Sequence, residues 1–348
     1  MPEFSVATFN LCQFCTPGER WFQDGDSIGY DPEAWAKKCD FIRQALDRMQ
    51  ADIVGFQEVF SPDAFRVLMT EAGYPHVAIP DTPPRRADAS GTLVAPVNAL
   101  VSRHPILSAG RLDPPTHLWS AGLLAEDFHF RRGVVEARIA IPGLSRPLLV
   151  LVCHLKSPGV GIDDAAVAKS ADWRGRFRSH LHQRAVLDAA QIIHRTGEAM
   201  MLHTAVMHRI DREPGLPVIV MGDLNDTPDS TTLRILTQAE PVPQIAGTVT
   251  AELPPAERAH LHDWRLYPAR AAVGASSPRP RPTLAGFGKG ATFDHILVGN
   301  ALNGENPAAL AQVTGHAVFD AHLLAGANPL ETSDHAPVRA TFKTVTRD

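Results

Sequence analysis

No run of apolar residues in this chain reaches the roughly 18–20 needed to cross a bilayer as a helix. Cysteine is scarce. Cys12, Cys15, Cys39 and Cys153 are the only four in 348 residues, too few for a disulfide-stapled scaffold and in keeping with a reducing compartment. Cys12 and Cys15 have C-x-x-C spacing, but no second Cys or His pair stands at finger-like spacing, so a zinc or redox role is set aside and they are read as free thiols. An excess of positive charge is missing as well. The formal net charge is −5, which argues against a strongly basic nucleic-acid binder, although a local basic groove suffices for phosphate contacts. Met1-Pro2-Glu3-Phe4-Ser5 lacks the charged and apolar segments of a leader. The expectation is a cytoplasmic protein with no integral membrane association and no obligate protein partner. No internal repeat is visible at a period of roughly 20–50 residues.

What is present is ordinary for a soluble domain: 44% apolar and 20% charged residues. The chain is long enough to bury a large core without staples, and residues 1–348 read as one catalytic domain. Short apolar runs at 4–11, 52–59, 97–102, 133–141, 148–154, 218–221, 293–298, 313–319 and 336–344 read as strands. Trp35, Cys39, Ile42, Ala45, Leu46 and Met49 recur every three or four residues, an amphipathic helix. Ser61-Pro62 opens a second helix that Gly73 stops. A helical stretch over 165–208 is expected to break near Gly175 and Gly197, and a short helix spans about 230–236. Residues 80–96, 103–132 and 276–290 read as loops. The irregular alternation points to an α/β (α+β) sandwich of mixed sheets with helices outside, not to a doubly wound parallel sheet.

Chemistry-bearing residues stand at strand ends: Asn10, Glu58 after Gln57, His154, Asp223-Leu224-Asn225 after Gly222, and Ser333-Asp334-His335, with Asp294 at a strand start. Strands pack into a rigid core and release such residues at one rim, where they can converge and be held firmly. Buried singly, these carboxylates would each cost several kcal/mol. Each segment has a bland alternative, a turn residue, a strand-end cap or a core-edge histidine, and none is specific alone.

In this order, across residues 10–335, the segments resemble the endonuclease/exonuclease/phosphatase (deoxyribonuclease-I-like) superfamily. The resemblance implies a four-layer sandwich of two mixed β-sheets flanked by helices, and a divalent-metal-dependent phosphoester hydrolase. On it, Glu58 holds Mg²⁺ with Asn10 and Asp334 nearby, and Mn²⁺ or Ca²⁺ are the alternatives. Asp223 orients or deprotonates the attacking water and Asn225 donates to the phosphoryl oxygen, the two side chains pointing the same way on an extended segment. His335, oriented by Asp294, is the general base or a phosphate donor. His154 binds phosphate or protonates the leaving oxygen, and Lys156 faces the same rim. Arg174, within the basic and aromatic run Trp173–Arg178, offers a further substrate contact. His295 alternates away from the site, and the histidines of 180–208 read as helix-surface residues.

Cys12 stands where many family members carry a second polar or acidic ligand, and a thiolate is a poor Mg²⁺ ligand. One metal position therefore fits better than two. The substrate expected is a phosphoester, with nucleic acid slightly favoured. A phosphatase or phospholipase-C-type activity on a phosphorylated metabolite or lipid head group is the alternative. The Trp-rich motifs of inositol-phosphate phosphatases are absent, and a non-catalytic binding protein of the same fold is the remote reading.

Overall fold

The computed structural model describes the chain apart from residues 1, 22–28, 89–90, 114–121, 123, 160, 170–171, 274–280, 285–289 and 346–348. Most of the loop expected over 276–290 thus lies outside the described residues. The first sheet is built from β1 (Glu3–Phe14), β2 (Ile53–Val59), β3 (His76–Ala78), β4 (Val97–Ser102), β13 (Ala311–Val318) and β14 (Val338–Thr344). Its strand order is β13-β14-β1-β2-β4-β3. The second contains β5 (Ile106–Arg111), β6 (Val135–Ile139), β7 (Leu148–His154), β8 (Val218–Asp223), β11 (Leu266–Pro268) and β12 (Asp294–Gly299), ordered β11-β12-β8-β7-β6-β5. A two-residue ribbon, β9 (Gln244–Ile245) and β10 (Thr248–Val249), stands apart. Each large sheet carries one parallel pair, β1 with β2 and β7 with β8, and is otherwise antiparallel.

Strand alternation explains the layers. In β7, Leu148, Val150 and Val152 face the other sheet, while Leu149, Leu151 and Cys153 face outward. Val6, Ile53, Ile219, Met221, Ile296 and Val338 join the inward set. Gly55 lies between the sheets, where an added Cβ would stand 2.8–2.9 Å from Val152 and Met221. The outer face of the first sheet is covered by helices α1 (Pro32–Met49) and α2 (Pro62–Glu71), through Ile42, Leu46, Met49, Phe65 and Leu68. A short α3 (Asp164–Ala168) precedes α4 (Trp173–Arg212), which with α5 (Thr231–Thr237) covers the second through Ala199, Leu202, Val206, Leu233 and Leu236. The result is the helix–sheet–sheet–helix stack expected from the sequence, with two strand faces buried against each other and one helix layer on each side.

Three local expectations fail. Neither Gly175 nor Gly197 breaks α4. Gly175 sits in the first turn, where its N–H donates to the Asp172 cap, and Gly197 is where the helix meets Phe128 and Leu124 too closely for a side chain. The 103–132 connection contains β5, an exposed edge strand whose alternation Ser108, Ala109 and Gly110 conceal. Ser61 precedes α2, but its hydroxyl accepts from the Thr16 N–H and makes no cap bond to the helix.

Gly222 adopts φ +150°, and a Cβ there would lie 1.8 Å from the Cys153 carbonyl oxygen, on the parallel neighbour β7. Gly222→Ala is expected to lose about 3 kcal/mol or more, read as a lower urea midpoint; an unchanged midpoint would show that the β7–β8 spacing is wrong. His316 on β13 has its pKa lowered to about 4, chiefly by burial and then by Arg270 and His295. The unfolded chain takes up that proton near pH 6.5 and the folded chain does not. Stability should hold above pH 6.5 and decline as pH falls towards 4. His316→Leu should flatten this limb in urea titrations at stepped pH.

Candidate active site

The inward rows of four strands end at one rim. Asn10 follows Val6 and Thr8 on β1, His154 follows Val150 and Val152, and Asp223 follows Ile219 and Met221. Asp294 opens the row that continues through Ile296 and Val298 and pairs directly with Asp223. Two-residue periodicity therefore delivers all four side chains to the space between the sheets.

One carboxylate oxygen is the meeting point. Asp223 Oδ2 accepts a hydrogen bond from Asn10 Nδ2 at 3.0 Å. It lies 3.4 Å from His154 Nε2 and 3.7 Å from His335 Nε2. The other face of His335 is fixed by Nδ1, 2.8 Å from Asp294 Oδ2. Burial raises the Asp223 pKa, and Asp294 adds to the rise, against the opposing pull of His335, the Asn225 N–H and the Asn10 amide. Burial alone would lower the His335 pKa, but Asp294 and Asp223 outweigh it and hold it well above an ordinary histidine. For His154, burial, then Arg132, His335 and Lys156, drive the pKa well down. Burial and neighbouring charge thus push the two imidazoles beside Asp223 in opposite directions, His154 down and His335 up.

Strict alternation would send Glu58 towards the helix layer with Val54 and Phe56. Instead Glu58 has φ +64°, and its carboxylate turns to the rim. Oε1 accepts from Asn10 Nδ2 at 3.3 Å and Oε2 from the Gln13 N–H at 2.9 Å. Cys12 and Gln13 are also left-handed, at φ 50° and 63°, so β1 kinks around the acid. Four non-glycine residues in this conformation, Cys12, Gln13, Glu58 and Asn225, crowd one rim, as strained backbone does at functional sites.

Asn225 reaches the rim by a different route from the one expected. The segment is not extended: Asn225 has φ 52°, its N–H donates to Asp223 Oδ1, and Nδ2 donates to the Leu155 carbonyl. Asp334 sits beside the Cys12 thiol, whose pKa rises through burial and then through Asp334. Cys12 and Cys15 are both buried and free. Lys156 is half-buried, with Nζ on the Ser157 carbonyl and hydroxyl. Arg174 is not brought to this rim. It lies about six turns of α4 before Arg195, which bonds the Lys156 carbonyl at the rim. His295 is buried on the Asp226 carbonyl, away from the rim.

A cation fits the donor set. A single amide nitrogen, Asn10 Nδ2, bonds both Glu58 and Asp223, so two carboxylates converge within reach of one donor. Asp294 Oδ1 and His154 Nδ1 are buried with no partner among the described residues. Asp223, Asp294 and His335 offer three ligand atoms within 4.8 Å of one another; Glu58 and Asp334 are outside that group. Asn10 presents its nitrogen to the acids, while its oxygen accepts from the Cys12 N–H.

Several supporting residues had no role assigned from the sequence. Lys38 is fully buried on α1, and its ammonium donates to the carbonyls of Cys12, Pro329 and Thr332. Its position four before Ile42 and seven before Ala45, a charge on the apolar stripe, is a signal that periodicity contains. Ser333 Oγ donates to the Asn10 carbonyl and accepts from the His335 N–H. Thr283 Oγ accepts from the Phe293 and Asp294 N–H groups. Glu198, buried on α4, accepts from the Arg131 and Lys156 N–H groups, and Arg195 bonds Asp226 and the Lys156 carbonyl.

The model of the Endonuclease/Exonuclease/phosphatase family matches residues 7–335. The chain belongs to this family. Its members are phosphoester hydrolases. Among solved structures, the chain is similar to the human Nocturnin catalytic domain with bound sulfate, at 15% identity and TM-score 0.57 over 99% of this chain and 95% of that one. It is similar to humanized D. rerio TDP2, at 14% identity and TM-score 0.53 over 98% and 99%. ANGEL2, a 2',3'-cyclic phosphatase, gives 14% identity and TM-score 0.53 over 98% and 96%. At these identities the likeness is one of fold. No curated protein sequence matches the chain.

Burial lowers the Lys38 pKa to about 8, a cost that the three carbonyls offset. Lys38→Met should free the segment that leads into Asp334 and His335. Amide exchange over 328–335 is expected to speed up about tenfold or more, with roughly 1–3 kcal/mol lost in urea unfolding. Unchanged exchange there would show that the tether does not hold the segment.

Proposed function

We propose that the chain is a divalent-metal-dependent phosphodiesterase, with a nucleic-acid strand as the first substrate to try. The reading is carried by one observation: Asp223 Oδ2 faces Asn10 and two imidazoles, one of them locked by Asp294. Asp223, with its raised pKa, takes the proton of the attacking water. His335, held as the imidazolium, donates to a phosphoryl or leaving oxygen instead of acting as the base. His154 stays neutral and contacts the phosphoryl group through Nε2. Asn10 holds Asp223 and Glu58 in register, and Asn225 keeps the Asp223 carboxylate turned to the rim. Glu58, with Asp334 at the margin, would hold the cation; when bound, it offsets the charge that develops on the phosphoryl oxygens. Mg²⁺ is the first choice for so oxygen-rich a set, with Mn²⁺ and Ca²⁺ as alternatives.

Arg131, Arg132 and Arg195 gather around Lys156, and these three guanidiniums add to burial, the main cause, in pulling its pKa down against Glu198. This local positive field lies in a chain of net charge −5 and suits a substrate that keeps a charge after the scissile phosphate. TDP2 has been solved with a single-strand DNA product and ANGEL2 is named a 2',3'-cyclic phosphatase; both support testing nucleotide diesters first.

Hydrolysis of bis(p-nitrophenyl) phosphate with Mg²⁺ or Mn²⁺ tests the chemistry. Asp223→Ala and His335→Ala should each lose about 10²–10⁴-fold, and chelation should abolish activity until a divalent ion is returned. Full activity in both variants would remove the assignment, and no hydrolysis with any ion would favour a binding protein. A panel of single-stranded DNA, duplex DNA, RNA, sugar phosphates and phospholipids separates the nuclease from the phosphatase and phospholipase-C-type alternatives.

A further inference from the structure

Three basic side chains beside the rim have no acidic partner. Elsewhere the half-buried or buried arginines Arg138, Arg195 and Arg209 pair with Glu213, Asp226 and Glu136. Arg132 Nη1 instead donates to the Leu155 carbonyl, at 3.1 Å, and Lys156 Nζ to the Ser157 carbonyl and hydroxyl. The Arg131 guanidinium is exposed and makes no side-chain bond among the described residues. The fold nevertheless holds the three together. Glu198, wholly buried on α4, accepts from the Arg131 N–H through Oε1 at 2.8 Å and from the Lys156 N–H through Oε2 at 2.6 Å. One carboxylate thus joins the segment before β6 to the loop after β7, with both oxygens engaged by backbone donors. The cations beside it repel one another, and an anion set among them would relieve that repulsion.

Their place relative to Asp223 is fixed by the sheet. In the second sheet β12 flanks β8 on one side, and β7 and then β6 lie on the other. Asp294, with His335 bonded to it, is on the β12 side. Arg131, Arg132 and Lys156 are on the β6–β7 side. Arg132 shares the Leu155 carbonyl with Asn225 Nδ2, and Lys156 is two residues beyond His154, at most about 7 Å of chain. A substrate seated at Asp223 that extends past His154 meets these cations next. Charge and shape give the ligand class. An internal diester or a carboxylate carries one negative charge, whereas a phosphate monoester carries about 1.5–2 at pH 7 and three acceptor oxygens. Two guanidinium forks and an ammonium match the monoester. The cluster is confined to residues 131–132 and 156, a span that suits one such group and not a track of them.

We propose that Arg131, Arg132 and Lys156 form a subsite for a second, terminal phosphate of the substrate, so that the chain acts beside a phosphorylated end and not within a strand. The proposal rests on the phosphodiesterase reading for the place of the scissile group. The test compares thymidylyl-thymidine with the same dinucleotide carrying a phosphate at its 5′ or its 3′ end. Affinity is read by titration calorimetry on the full native chain with divalent ions chelated, and KM and kcat with Mg²⁺ or Mn²⁺ returned. One phosphorylated dinucleotide should bind about tenfold or more tightly than the plain one and show a correspondingly lower KM. Arg131→Gln, which removes no contact within the fold, should cut this preference several-fold. Arg131→Gln with Arg132→Gln should bring it close to one, and Arg131→Lys should restore part of it. Equal binding of all three dinucleotides overturns the proposal, and so does a preference that the double variant keeps. So does affinity that rises with strand length whether or not the end is phosphorylated, the mark of a strand-binding groove. Thymidine 3′,5′-bisphosphate and fructose 1,6-bisphosphate distinguish the sources of the phosphate. Tighter binding of the first assigns a nucleotide end, equal binding a bisphosphate on another scaffold, and both support the subsite. A phosphate preference in the calorimeter without hydrolysis under any ion counts against the phosphodiesterase reading and leaves the subsite standing.

Discussion

The Asp223 carboxylate is the contact on which the rest of the molecule depends. Its Oδ2 is approached by an amide from the first strand and by imidazoles from β7 and from the segment before β14. These groups come from both sheets and from chain positions 213 residues apart in the case of Asn10 and Asp223. An acid so deeply enclosed is stable only if each neighbour arrives with the right polarity. The paired-sheet core makes this feasible. Rows of Val, Ile and Met fix the spacing of the sheets, and the last residue of each row inherits that precision.

A second layer of polar residues aims the first. Glu198 and Arg195 on α4 draw the segment before β6 and the loops after β7 and β8 towards one helix, largely through backbone groups. Lys38 does the same from the opposite side, joining the end of β1 to the segment before Asp334. Helices from both outer layers thus grip the rim loops, so the four-layer order has a role in positioning as well as in burial. The cost is charge inside the protein, tolerable because each buried ion meets several partners at once.

Much of this could be read from the sequence. Apolar runs located most of the long strands, and the ends of those runs located Asn10, His154 and Asp223, because two-residue periodicity holds up to the rim. It fails where the backbone turns left-handed. Glu58 and Asn225 both stand at the rim, but two-residue alternation would point Glu58 the wrong way, and Asn225 arrives by a left-handed turn and not on the extended segment expected. Arg174 reads as a substrate contact because it stands in the basic and aromatic run Trp173–Arg178, yet an unbroken helix carries it away from the rim. Glycine as a helix breaker misled for a related reason: at Gly197 the small residue serves contact with Phe128. Ser333 stands in the Ser333-Asp334-His335 segment, but its hydroxyl, like that of Thr283, works on backbone groups, a role that leaves no pattern among the side chains.

The place of β14 in the sheet has a temporal meaning. It lies between β13 and β1, and the segment leading into it supplies Ser333, Asp334 and His335. β1 spans Glu3–Phe14 and β14 Val338–Thr344, so more than three hundred residues must be made before β1 can gain this neighbour. Until then the first sheet is open along β1 and His335 has not met Asp223 and Asp294. A folding helper that shields that edge would guard against stray strand pairing and premature chemistry by the same act.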